Sequence, residues 1–244
     1  MARADKGGDR LQRNKSGAKG RQNRSRQVYA FIEGEVTERE YISLIAKHGR
    51  RADPRRGIDF HIENATAAGK HRKPLPMVRN AISVLQRVER EAEAAGLGKE
   101  KDWNWPQVWV LFDRDAHEGI PEAMKLAREH GVRIAYSHPC FELWRLLHYQ
   151  DYTSTFGGVC RDTNARLRRQ PGFAQTYGKN VRAVSEQQSK HLQPEQILGN
   201  GKYEIARKHA KKINEKRDGE NPNHWDPYTD VWTFVEDGLL LSGY

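Results

Sequence analysis

Apolar residues fall along the chain in short runs separated by longer stretches of helical spacing. Residues 28–32 (VYAFI), 58–62 (IDFHI), 107–112 (QVWVLF) and 133–136 (RIAY) read as strands, and the apolar run at 28–32 is of the kind expected where both faces are buried. After the first run, Thr37-Glu38 opens a helix with Tyr41, Ile42, Leu44 and Ile45 as its apolar positions, and Thr37 with Glu40 matches a capping box. A long helix is expected over about 75–95, introduced by Pro74 and Pro76 and ended by Gly96. Another spans 121–130, with Pro121 in its first turn and Gly131 just past its end. Pro139 is expected to start an amphipathic helix reaching about Tyr149. Phe141, Trp144 and His148 share one face of it, while Leu143, Leu146 and Leu147 form an adjoining one. Strands alternating with helices of this length predict a mainly parallel sheet covered on both faces.

The pattern changes at Gln150. Residues 150–200 are polar and broken by Gly157-Gly158 and Pro171-Gly172, so they read as loop with short helices. A basic helix follows over 202–217, with Ile205, Ala206, His209 and Ile213 expected to face inward. A final helix is expected over 229–241, capped by Thr229. The chain is therefore expected to be an α/β protein, its parallel sheet flanked by helices, with a helical C-terminal elaboration. Its parts are a basic tail (1–27), an α/β core (28–150) and a helical region packed on that core (151–244).

Charge sharpens the picture. The formal net charge is +10, and residues 1–27 carry nine Lys or Arg against Asp5 and Asp9, leaving only +3 for the remaining 217 residues. So polar a segment is expected to be disordered by itself, and it suits phosphate binding by counterion release or a solvated tail equally well. No apolar run approaches the ~18 residues that span a bilayer, and no secretory signal is evident, so a cytoplasmic protein without membrane contact is expected. Cys140 and Cys160 show no metal-ligand spacing and are expected to be free thiols in a reducing compartment.

The candidate chemistry lies at strand ends. Glu33 follows the first strand, and Asp113 and Asp115 follow the third. In an open parallel sheet these positions meet on the carboxyl edge, where ligands bind. Carboxylates brought together repel, and a divalent cation relieves the conflict; Mg²⁺ takes one or two carboxylates and keeps waters for a phosphate. Gly34 permits close backbone approach, and Glu38, one turn into the next helix, is placed for a second cation. Gly69-Lys70 does not make a phosphate-binding loop, since Asn64 stands where its first Gly is required and His71 where Ser or Thr is. His138 and Glu142 are expected near the same edge, with Glu142 complementing a helix dipole or touching metal or substrate. Lys179 and Lys202 are candidates for offsetting phosphate charge, or plain surface lysines. Arg207, Lys208, Lys211 and Lys212 form a rail for nucleic-acid phosphates or a solvated face.

Three separated segments, FIEGEVTEREY (31–41), VWVLFDRD (108–115) and SHPCFELWRLLH (137–148), with the late NPNHWDPYTDVWTFVEDGL, resemble the RloB-like family over roughly residues 28–240. The resemblance implies a Toprim-like fold and Mg²⁺- or Mn²⁺-dependent cleavage of phosphodiesters. It also implies a role in abortive, anti-phage defence beside a separately encoded ATPase. It makes Glu33, Asp113 and Asp115 catalytic metal ligands and Glu38 the second acid of the EGxxTE pattern. The preferred substrate is structured or single-stranded nucleic acid, RNA ahead of DNA, with Phe173, Tyr177 and Tyr203 as candidate stacking groups or, equally, core residues. The competing reading is a non-catalytic nucleic-acid-binding regulator of an ATPase, its acids holding a structural cation.

Overall fold

The computed structural model describes residues 25–114, 117, 119–199, 201–217 and 219–244. Residues 1–24 of the tail, and Asp115, lie outside the described residues.

The first half of the chain alternates strand and helix: β1 (Arg26–Ile32), α1 (Thr37–His48), the short β2 (Arg50–Arg51), β3 (Ile58–Ile62), α2 (Pro74–Ala94), β4 (Gln107–Asp113), α3 (Ile120–His130) and β5 (Arg133–His138). Then come α4 (Glu142–Leu146), α5 (Cys160–Arg168), α6 (Glu186–Ser189), α7 (Pro194–Ile197), α8 (Lys202–Asn214), β6 (Tyr228–Thr229), α9 (Val231–Thr233, continuing as a π-helical turn over Phe234–Gly238) and β7 (Leu241–Gly243). The main sheet has the order β3-β1-β4-β5-β6; its first four strands are parallel and β6 is antiparallel to β5. β2 and β7 form a small antiparallel ribbon.

The pleat of β4 explains why its sequence is apolar throughout. Val108, Val110 and Phe112 face α2 and α3, packing with Met77, Val78, Ala81, Ala123 and Ala127. Trp109 and Leu111 face the other way, into a cluster that takes in Tyr41, Ile42 and Ile45 of α1 and continues through Trp144, Leu167, Phe173 and Tyr203 to Tyr244. The C-terminal region thus extends one face of the sheet's core.

Several sequence expectations need correction. The basic tail gives way to strand earlier than expected, for Arg26 already belongs to β1 and its Nε donates to Trp103 O at 2.8 Å. The Thr37–Glu40 capping box does not form. Thr37 Oγ1 instead donates to Lys190 O at 3.0 Å, and Glu40 accepts from Leu192 N–H at 2.6 Å and pairs with His191, so both residues tie α1 to the C-terminal region. The helix expected from Pro139 to Tyr149 is only Glu142–Leu146. The final helix is displaced: Tyr228–Thr229 is strand, paired with His138 and Ser137, and helix begins only at Val231. Ile205 of α8 is 45% exposed rather than inward, where Tyr203, Ala206, Ala210 and Ile213 pack. The two cysteines are joined in a disulfide, not free.

Candidate functional site: an acidic cavity at the switch point of the sheet

β1 is followed in sequence by β3 on one side of it and by β4 on the other, so the direction of winding reverses between β1 and β4. At such a reversal the outgoing loops diverge and leave a crevice at the carboxyl ends of the strands. Ile32 pairs with Leu111, and the residues just beyond are Glu33 and Asp113. One Glu33 oxygen accepts the Asp113 N–H at 3.0 Å, and the other is paired with His117 Nε2.

The loop after β1 is held from below. Asn64 accepts from Ile32 N–H at 3.0 Å and donates to Ile32 C=O at 2.8 Å, replacing a strand partner at that end of the sheet. Arg72, 5% exposed, donates to the carbonyls of Ile32, Asn64, Ala65 and Ala67 and pairs with Glu35 at 3.4 Å. Above it, Glu38 folds back over the turn, its carboxylate accepting Gly34 N–H at 3.1 Å. A Cβ at position 34 would overlap that carboxylate, which explains the glycine.

Glu33, Glu38, Asp113 and Glu142 line one cavity of about 520 Å³ together with Glu35, Cys140, Cys160, Asn164, Glu186 and Lys190. Burial first, then Glu38, Glu33 and Glu142, push the Asp113 carboxyl well above the usual range, although Phe141 N–H donates to it. Burial first, then Glu142, push Glu38 up to about 7. Both shifts mark a site short of positive charge. Its donors are carboxylate oxygens, the chemistry of a hard divalent cation. They do not form a closed shell. Among the described residues, the group of three or more ligand atoms lying within 4.8 Å of one another is Cys140, Glu142 and Cys160. An open set fits an ion that takes few carboxylates and retains water.

The expected residues divide accordingly. Glu33, Glu38, Asp113 and Glu142 come together, and Asp115 is outside the described residues. His138 is buried at the end of β5, its Nδ1 3.4 Å from Pro222 O, and burial lowers its pKa despite the nearby Asp226; it is not among the cavity-lining residues. Lys179 is exposed on the loop after Tyr177. Lys202 caps the carbonyls of Glu195 and Gln196, lies over the Tyr149 ring and is not among the cavity-lining residues. On α8, Arg207 is paired with Glu236 and Lys212 with Asp151, while Lys211 lies over Trp232, so only Lys208 of that rail has no partner described. Phe173 and Tyr203 are core residues at 0% and 1% exposure and cannot stack on a base; the Tyr177 hydroxyl donates to His191 O at 2.7 Å.

Sequence reasoning missed His117, Lys190 and the sulfur pair. His117 lies four residues past Asp113, within reach of any loop leaving β4, but nothing in its spacing marks it. Lys190 is brought in by Arg145, 1% exposed, which donates to Ser189 O at 2.8 Å and Gln196 Oε1 at 2.7 Å and so fixes the segment carrying it.

Fold and site together define a mixed α/β protein with a mostly parallel sheet and an acidic cavity at its switch point. The chain belongs to the RloB-like family: the model for that family, described as RloB-like protein, matches residues 28–237. No curated protein and no solved structure matches it. None of the described helices is long and apolar enough to cross a membrane.

Proposed function

We propose that this RloB-like protein is a metal-dependent nuclease cleaving phosphodiester bonds in the acidic cavity. The observation that carries the reading is the meeting of Glu33 and Asp113 at the switch point, with Glu38 and Glu142 in the same cavity and the proton affinities of Asp113 and Glu38 raised. Glu33, Glu38 and Asp113 would hold Mg²⁺ or Mn²⁺, with Asp115 a further ligand by its place in the DRD motif. Bound there, such a cation lowers the pKa of water and stabilises developing charge on phosphate oxygens. The chain's own groups do the rest. The imidazole of His117, paired with one Glu33 oxygen, fixes the orientation of that carboxylate. Lys190, on the cavity wall, offsets phosphate charge that the acids would otherwise repel.

The cavity is walled by Cys160, Asn164, Glu186, Gln187 and Lys190 from the region after Gln150. Such a wall admits an end or loop of nucleic acid more readily than a continuous duplex, so the reading keeps RNA ahead of DNA. The resemblance to the family adds anti-phage defence and an ATPase partner to the proposal. The competing reading, a nucleic-acid-binding regulator of an ATPase, draws support from the bonds that already hold both Glu33 oxygens. Incubation of labelled DNA, mRNA and tRNA with Mg²⁺ or Mn²⁺, with and without chelator, separates the two. Metal-dependent cleavage is expected, with tRNA or single strands cut faster than duplex; retention of nucleic acid without cleavage would favour the regulator.

A further inference from the structure

We propose that Cys140, Cys160 and Glu142, once the disulfide is reduced, form a site for a thiophilic divalent cation such as Zn²⁺ on the wall of the acidic cavity. Cys140 lies between β5 and α4, and Cys160 opens α5 with its Cα 5.5 Å from that of Cys140. Twenty residues separate them in sequence, so no short motif announces the pair. The fold brings a third donor to them. Glu142 Oε2 stands 3.6 Å from Cys160 Sγ, and all three ligand atoms lie within 4.8 Å of one another.

The geometry suits tetrahedral coordination. Zn–S bonds of ~2.3 Å and Zn–O bonds of ~2.1 Å set a sulfur and an oxygen of one shell about 3.6 Å apart and two sulfurs about 3.8 Å apart. The sulfur–oxygen separation already has that value. The sulfurs reach theirs by side-chain rotation after the S–S bond is cut. Three protein ligands leave a fourth position, and the cavity that Cys140, Glu142 and Cys160 all line supplies water to it.

Ligand type separates this site from its neighbour. Two thiolates and one carboxylate select Zn²⁺, whereas the oxygen donors of Glu33, Glu38 and Asp113 suit Mg²⁺ or Mn²⁺. The redox step is a thiol–disulfide exchange. A dithiol reductant supplies two electrons and two protons, leaves as its own disulfide and converts Cys140 and Cys160 to thiols. Cation binding then releases the two thiol protons, so affinity rises with pH. The site stands whether or not the cavity cleaves nucleic acid.

Co²⁺ is the probe, because thiolate ligation gives it a charge-transfer absorption that oxygen ligands do not. The reduced full chain is expected to bind one equivalent with that absorption, and Zn²⁺ to displace it. Glu142→Gln should weaken binding by at least about tenfold, and Cys160→Ser should abolish the absorption. The oxidised, unsubstituted chain should show none, a comparison that needs no substitution to fold. The proposal is overturned if the reduced chain gives no thiolate absorption, if the absorption persists undiminished in Cys160→Ser or in the oxidised chain, or if the reduced chain no longer shows a thermal unfolding transition.

Discussion

Gly34 and Glu38 are spatially one unit, since the carboxylate occupies the volume a side chain at 34 would need. Gly34→Ala must therefore drive Glu38 off the turn while leaving the buried core untouched. The expected result is a loss of about 10–100-fold in Mn²⁺ affinity, the range seen when a group that orients metal ligands is removed, with little change in melting temperature. Mn²⁺ affinity equal to that of the unsubstituted chain would show that Glu38 stands outside the cation site. The same residue sets a pH dependence. Its carboxyl is raised from 4.5 to about 7, so the folded chain binds this proton more tightly than the unfolded chain does. Folding is then unpenalised below about pH 4.5 and loses stability as pH rises toward 7, by on the order of 3 kcal/mol at full effect. Metal-free protein should melt progressively lower across that window, and Mg²⁺ or Glu38→Gln should flatten the trend. A melting temperature that rises through the window would contradict the assignment.

The elements most legible in the sequence were those whose burial is two-sided. β1 and β4 are continuous apolar runs because both faces pack, and their ends locate Glu33 and Asp113 without further information. α3 was marked by Pro121 and by Gly131, which adopts the left-handed conformation at its end. Elements set by distant partners were not legible. Thr229 reads locally as a cap, yet its Oγ1 lies 3.1 Å from Ser137 Oγ, and the neighbouring Asp230 carboxylate accepts Tyr136 N–H at 2.6 Å; both hold it in a strand. Thr37 and Glu40 likewise spend their side chains on Lys190 and Leu192. Asn64 is another such case. In the sequence it does no more than spoil a phosphate-binding loop, yet in the fold it closes the end of β1. Asn64→Ala should cost roughly 1–3 kcal/mol, because it leaves the Ile32 N–H buried without a partner while Arg72 still donates to the Ile32 carbonyl. Urea denaturation should show a lowered midpoint with unchanged slope. An unshifted midpoint would mean that water replaces the side chain without loss.

For the molecule as a whole, the charge is divided. The cavity gathers six acids, Glu33, Glu35, Glu38, Asp113, Glu142 and Glu186, into a chain whose formal net charge is +10. On α8, Arg207 and Lys212 are paired with Glu236 and Asp151, so under the proposed function the residues before β1 would carry more of the attraction for phosphates. Deleting residues 1–24 removes eight Lys or Arg and two Asp without cutting into β1. It should leave thermal stability nearly unchanged, weaken nucleic-acid binding and flatten its dependence on salt. Equal affinity and equal salt slope would make the segment a bystander.

Cleavage of labelled tRNA by the Asp113→Ala chain decides whether the acids at the switch point hold the cation that cleaves a phosphodiester. With Mg²⁺ or Mn²⁺ present, the account predicts a loss of at least about 100-fold relative to the unsubstituted chain, at an equal or higher melting temperature because one repelling carboxylate is gone. Turnover unchanged in Asp113→Ala, or cleavage by the unsubstituted chain that persists under chelator, would contradict it.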